Sequence, residues 1–69
     1  MILNHIFEKS AMLASADYDT EEKEMSVTFQ NGRTYTYVDV EKSTYEELIG
    51  SSSAGKHFNS IKAGLKQKQ

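Results

Sequence analysis

The chain has 69 residues, 38% of them hydrophobic, with no cysteine and a formal net charge of −2. That length supports one domain with a small core, and without cysteine neither disulfides nor a thiolate zinc site can staple it, so stability has to come from packing or self-association. Phe7, Phe29, Phe58 and four tyrosines supply bulk that a disordered chain lacks.

The charge is unevenly placed. Residues 1–50 hold ten acids and four basic residues, whereas residues 51–69 hold four lysines and no acid. The C-terminal segment is therefore the basic end.

In chain order, Ile2, Leu3, Ile6 and Phe7 recur at i, i+1, i+4 and i+5, which predicts a short N-terminal helix with Asn4, His5, Glu8 and Lys9 on its other face. The run is too short for a signal peptide or membrane span and has no basic residues before it, so a cytoplasmic protein without membrane contact is expected. SAMLASADY, residues 10–18, reads as a first strand, and the acidic DTEEKE after it as an exposed turn. MSVTFQ alternates, with Met25, Val27 and Phe29 on one side and Ser26, Thr28 and Gln30 on the other. Asn31-Gly32 then signals a hairpin, with residues 34–40 returning.

Two registers are open for that hairpin. A two-residue turn sets Val27 opposite Thr36 and leaves Tyr35 and Tyr37 on the polar face beside Arg33, where unpaired bases could stack. A three-residue loop with Gly32 in a bulge sets Val27 opposite Tyr35 and sends both tyrosines into the core. The second gives the more consistent sheet, because Thr34 and Thr36 join Ser26 and Thr28 outside, although Val38 then faces outward unless a bulge intervenes.

After residue 40 the period changes. Ser43 with Glu46 fits a capping box, and Tyr45, Leu48 and Ile49 form an apolar helical stripe that Gly50 ends. Ser53 is placed to cap a second helix, through Oγ to the N–H of Gly55 or Lys56, along which Phe58, Ile61 and Leu65 share a face. The final KQKQ, residues 66–69, is expected to fray.

Several constellations invite chemistry. Gly50, Gly55 and Lys56 match the spacing of a phosphate-binding loop, but His57 replaces the metal-binding hydroxyl and a helix, not a strand, precedes them. Helix capping is the better reading, while Lys56 and His57 beside a helix N-terminus could hold a phosphate of a larger ligand. Asp17, Asp19 and Glu21 begin like a calcium loop yet lack its glycine and its final glutamate. The two histidines, His5 and His57, show no metal-ligand spacing, and no local signature orders a catalytic triad. The expectation is a non-enzyme with no metal and no cofactor.

The ordered set of residues resembles the KTSC domain, a module named for the C-terminal extension of some lysyl-tRNA synthetases and found alone in bacterial or phage proteins. Ser10 and Leu13 fit its opening and Tyr18-Asp19 its YD pair. Val27, Phe29, Gly32, Tyr35, Tyr37 and Val40 fit its F-x-x-G-x-x-Y-x-Y-x-x-V core. Tyr45, Leu48, Ser53, Gly55, Phe58, Asn59 and Ile61 fit its closing segment. Asp17, Glu41 and His57 depart from the usual glycine, proline and tyrosine. The resemblance covers residues 10–62 and implies structural roles for Tyr18, Asp19, Phe29, Gly32, Ser53, Gly55, Phe58 and Asn59, the last holding a carbonyl of the Tyr18-Asp19 turn. It carries no established activity, and the synthetase link suggests RNA binding.

The expected architecture is one α+β domain over residues 1–69, a three-stranded antiparallel meander packed by two C-terminal helices, with a short helix in front. The expected function is binding of RNA or single-stranded DNA along Arg33, Lys56, His57, Lys62 and Lys66, with Tyr35 and Tyr37 stacking if exposed. The alternative is a protein-interaction module, such as a small phage effector acting on a host protein, and a homodimer through the N-terminal helix fits a chain this small.

Overall fold

The computed structural model describes residues 1–8 and 10–68. Five strands form one antiparallel sheet in chain order: β1 (Ile2–Ile6), β2 (Leu13–Asp19), β3 (Glu24–Phe29), β4 (Thr34–Val38) and β5 (Lys66–Gln67). Two helices, α1 (Lys42–Gly50) and α2 (Ala54–Ile61), with a 3-10 turn over Lys62–Gly64, lie between β4 and β5 in the chain.

The hairpin takes the three-residue loop. Phe29 N donates to Arg33 O at 2.8 Å, Gly32 adopts φ 89°, and Val27 pairs with Tyr35. Glycine suits that left-handed position because a Cβ there would clash with its own backbone. Ser26 and Thr28 face Thr36 and Thr34 across the ladder with hydroxyl contacts of 2.9 Å on the outer side. Val38 stays on that outer side. At the next residue Asp39 takes φ 55°, and this left-handed step turns the chain so that Val40 enters the core at 1% exposure.

Alternation then builds one apolar face. Ala16, Tyr18, Met25, Val27 and Tyr37 point inward from β2, β3 and β4, and a register shift between Leu13 and Ser15 lets Leu13 join them. Tyr45 and Leu48 from α1 and Ala54 and Phe58 from α2 close over this face. Phe58 meets Phe29 and Tyr37 edge-on at 5.6 and 5.8 Å, and Tyr45 stacks on Tyr18 at 5.3 Å. No described helix is long and apolar enough to cross a membrane.

The three-stranded expectation is overturned at both ends of the chain. The N-terminal segment is strand β1, antiparallel to β2, with Leu3 opposite Tyr18 and His5 opposite Ala16. Its helical periodicity was coincidental: Leu3, His5 and Phe7 alternate toward the core while Ile2 and Ile6 stay on the outer face, and a short apolar run fits either period until a neighbour pairs with it. A dimer through an N-terminal helix goes with it. Lys9, placed on that helix, lies outside the described residues. At the other end, Lys66 and Gln67 pair with Val38 and Tyr37, and Lys68 N donates to Thr36 O at 2.7 Å. This polar tail is ordered by the open edge of β4; Gln69 lies outside the described residues.

Both expected helix caps are also absent. Glu41, not Ser43, occupies the N-cap of α1 and makes no side-chain cap bond, so Ser43 sits inside the first turn. Ser53 does stand at the N-cap of α2, but its hydroxyl caps nothing; its own N–H donates to Ser51 Oγ at 3.2 Å.

Candidate binding cleft

The acidic turn between β2 and β3 is tied to α1 through Tyr18, whose phenol donates to the Val40 carbonyl at 2.6 Å inside the core. Asp19 Oδ1 accepts from the N–H groups of Glu21 and Glu22 at 2.9 and 3.2 Å, and Val40 N donates to Lys23 O at 2.8 Å. Tyr18 and Asp19 thus hold this corner together with the Val40–Lys23 backbone bond. Asn59 takes no part in it, since its amide points to Met12 Sδ at 3.9 Å.

Gly55 has a packing role. A Cβ built there would stand 3.0 Å from Met12 Cβ, so α2 approaches the 10–12 loop only because the position carries no side chain. Phosphate binding is not needed to explain it. Above this close contact a cleft of about 720 Å³ opens between residues 5–8 and 10–12 on one side and the α1–α2 turn on the other. Phe7, Met12 and Ile49 give it an apolar wall, and His5 and Lys56 bring basic groups. Glu8 is the only carboxylate among its described lining residues. Because no side chain caps α2, the N–H groups of its first turn remain for solvent or a ligand at the positive end of the helix dipole.

The residues expected to bind nucleic acid are not gathered in one place. Lys56 lines the cleft, whereas His57, its neighbour on α2, does not. Tyr35, Tyr37 and Lys62 meet at a smaller hollow of about 300 Å³ that Phe29 and Phe58 also line. Tyr37 is only 7% exposed, and Tyr35 is half-buried with its ring edge-on to Phe29 at 5.6 Å. An aromatic pair lying open for stacked bases is therefore absent. Arg33 is exposed at the hairpin, and Lys66 faces Asp39 at 3.8 Å. His5, Phe7 and Met12 were missed as cleft residues because they come from segments far from α2 in sequence and carry no motif. No metal-binding group of side chains occurs among the described residues.

A five-stranded antiparallel sheet with two helices over one face and a cleft at the helix–helix turn defines a small α+β module. The sequence matches the KTSC domain family over residues 9–63, and the chain belongs to that family. It is 34% identical over 53 residues to an uncharacterised protein of Stutzerimonas stutzeri, covering 77% of this chain and 75% of that one. A protein of Tsukamurella paurometabola is 30% identical over 53 residues, covering 77% and 79% of the two chains. The crystal structure of a KTSC domain protein from Yersinia pestis superposes with a TM-score of 0.88 at 20% identity, over 100% of this chain and 97% of that one, so the same fold is present there.

Proposed function

We propose that this KTSC domain is a non-catalytic module that binds single-stranded nucleic acid, RNA or DNA, seating one nucleotide unit in the cleft. The observation that supports the reading is the joint lining of one cleft by an apolar wall, Lys56 and the uncapped start of α2. Pockets for small ligands are concave and mostly apolar, with a few convergent polar groups, and about 720 Å³ is within their usual size. A base fits against Met12 and Ile49 while a phosphate accepts from the first-turn N–H groups and from Lys56. The electrostatic footprint is narrow, because the chain is acidic overall and, among the described residues, Lys56 is the only lysine that lines the cleft. Binding is therefore weak and engages about one phosphate, which gives log K a slope near −0.7 against log salt for a single strand.

Titration of a labelled oligonucleotide into the full chain at two salt concentrations tests this. Salt-sensitive binding with backbone shifts at residues 54–56 is the expected result. Binding that ignores salt, or none at millimolar chain, would favour a protein partner instead.

A further inference from the structure

Strand β1 leaves one side of the sheet open, and its hydrogen-bond phase determines which residues face that opening. Phe7 N donates to Ala14 O at 2.9 Å and Thr20 N donates to Met1 O at 3.0 Å, with Leu3 and His5 opposite Tyr18 and Ala16 in the same ladder. Bonded and non-bonded pairs alternate in an antiparallel ladder, so residues 1, 3, 5 and 7 turn their backbone groups toward β2. Ile2, Asn4 and Ile6 consequently turn theirs to the free edge. The strand has no Lys, Asp, Glu or proline, the residues that commonly blunt such an edge. Ile2 and Ile6 are 63% and 59% exposed, both on the face away from the helices.

We propose that this edge pairs with β1 of a second copy, antiparallel about a two-fold axis at Asn4, extending the sheet through both molecules. Parity fixes the register. The pairing that matches all three outward residues to outward residues of the other copy is Ile2 with Ile6, Asn4 with Asn4 and Ile6 with Ile2. Each such pair exchanges two backbone hydrogen bonds. On the outer face the exposed isoleucines then meet twice, and on the inner face Leu3 meets His5.

The charges permit this arrangement. Asp17, the carboxylate beside Asn4 on β2, accepts a hydrogen bond from the Asn4 amide. In the dimer the two copies of Asp17 stand about three strand spacings apart, roughly 14 Å, beyond a Debye length of about 8 Å. Standard interfaces bury roughly 30 to 40 Å² per contacting residue, so the five residues of β1 on each side reach only about 150 to 200 Å², well below the usual 800 Å² per partner. The dimer is accordingly weak and transient.

Sedimentation velocity on the full chain from about 10 µM to about 1 mM tests the proposal, together with amide exchange at Ile2, Asn4 and Ile6. Dimer is expected to grow with concentration while those three amides gain protection. Ile2→Lys and Ile6→Glu should each weaken association about tenfold or more, since either one alone sets a charge against isoleucine. The double variant should regain most of it, because the register places each introduced lysine beside the introduced glutamate of the other copy. Both positions are exposed, so the variants keep the fold. A chain that stays monomeric at the highest concentration, a dimer whose edge amides exchange freely, or a double variant no tighter than the singles would overturn the proposal.

Discussion

Tyr18 donates its phenolic proton to the Val40 carbonyl at 2.6 Å, a bond between β2 and the segment that enters α1. Tyr18 is 1% exposed and stacks on Tyr45, so water has no access to replace the lost partner if the hydroxyl is removed. Tyr18→Phe keeps the ring and strands the Val40 carbonyl. The expected loss is about 1 to 3 kcal/mol, and in a domain this small each kcal/mol lowers Tm by roughly 4 to 8 °C. Thermal unfolding followed by circular dichroism reads it; a shift under about 2 °C would mean that the bond contributes little.

Burial also makes this core sensitive to alkali. It raises the Tyr18 phenol above its ordinary value of 10.0, with the Glu41 carboxylate adding to the effect, and burial likewise raises Tyr37 and Tyr45. The folded chain therefore keeps these protons where the unfolded chain has released them. Their contribution is complete below pH 10.0 and is lost as pH rises through the higher folded values. Urea midpoints should hold steady with respect to these tyrosines up to about pH 9.5 and fall above about 10, with a shallower fall in Tyr18→Phe. A midpoint that rises with pH across that window contradicts the assignment.

Two glycines should respond in opposite ways to alanine. Gly55→Ala forces a methyl to 3.0 Å from Met12 Cβ and should cost about 1 to 3 kcal/mol through displacement of the 10–12 loop. Gly50→Ala, at the last residue of α1, meets nothing within 4 Å and should stabilise by about 0.4 to 1 kcal/mol, because alanine loses less backbone freedom on folding. Paired denaturant titrations give both signs, and equal effects would contradict the close approach of α2 to Met12.

Lysine substitutions separate the cleft from the rest of the basic end. Lys56→Ala should weaken oligonucleotide binding and flatten its salt dependence by about one phosphate's worth. Lys66→Ala should leave binding within about twofold, since Lys66 sits on β5 facing Asp39, outside the cleft lining. Equal losses in the two variants would show diffuse electrostatic attraction rather than a seat at α2.

The interior of the fold was legible wherever neighbouring residues carried the instruction. Alternation in β3 and Asn31-Gly32 gave the hairpin but left two registers open; the three-residue loop of the structure turns Tyr35 and Tyr37 inward, because a slip of one residue exchanges the two faces of a strand. The stripe of Tyr45 and Leu48 gave α1 in the same local way, and the ordered motif of residues 10–62 gave the family. The caps at Ser43 and Ser53 were locally plausible and wrong, since the hydroxyls did not adopt the capping geometry.

What the sequence determined by itself was thus an α+β module with a hairpin at Asn31-Gly32, while the inward turn of Tyr35 and Tyr37 was settled by the register of the folded sheet. The tertiary structure decided the two outer strands and the cleft. ILNHIF satisfies a helical or a strand period until the open side of β2 offers hydrogen bonds, and KQ at 66–67 has no preference that would place it without β4 beside it. The cleft joins His5, Met12 and Lys56 from three separated segments, and a meeting of that kind has no periodicity to read along the chain.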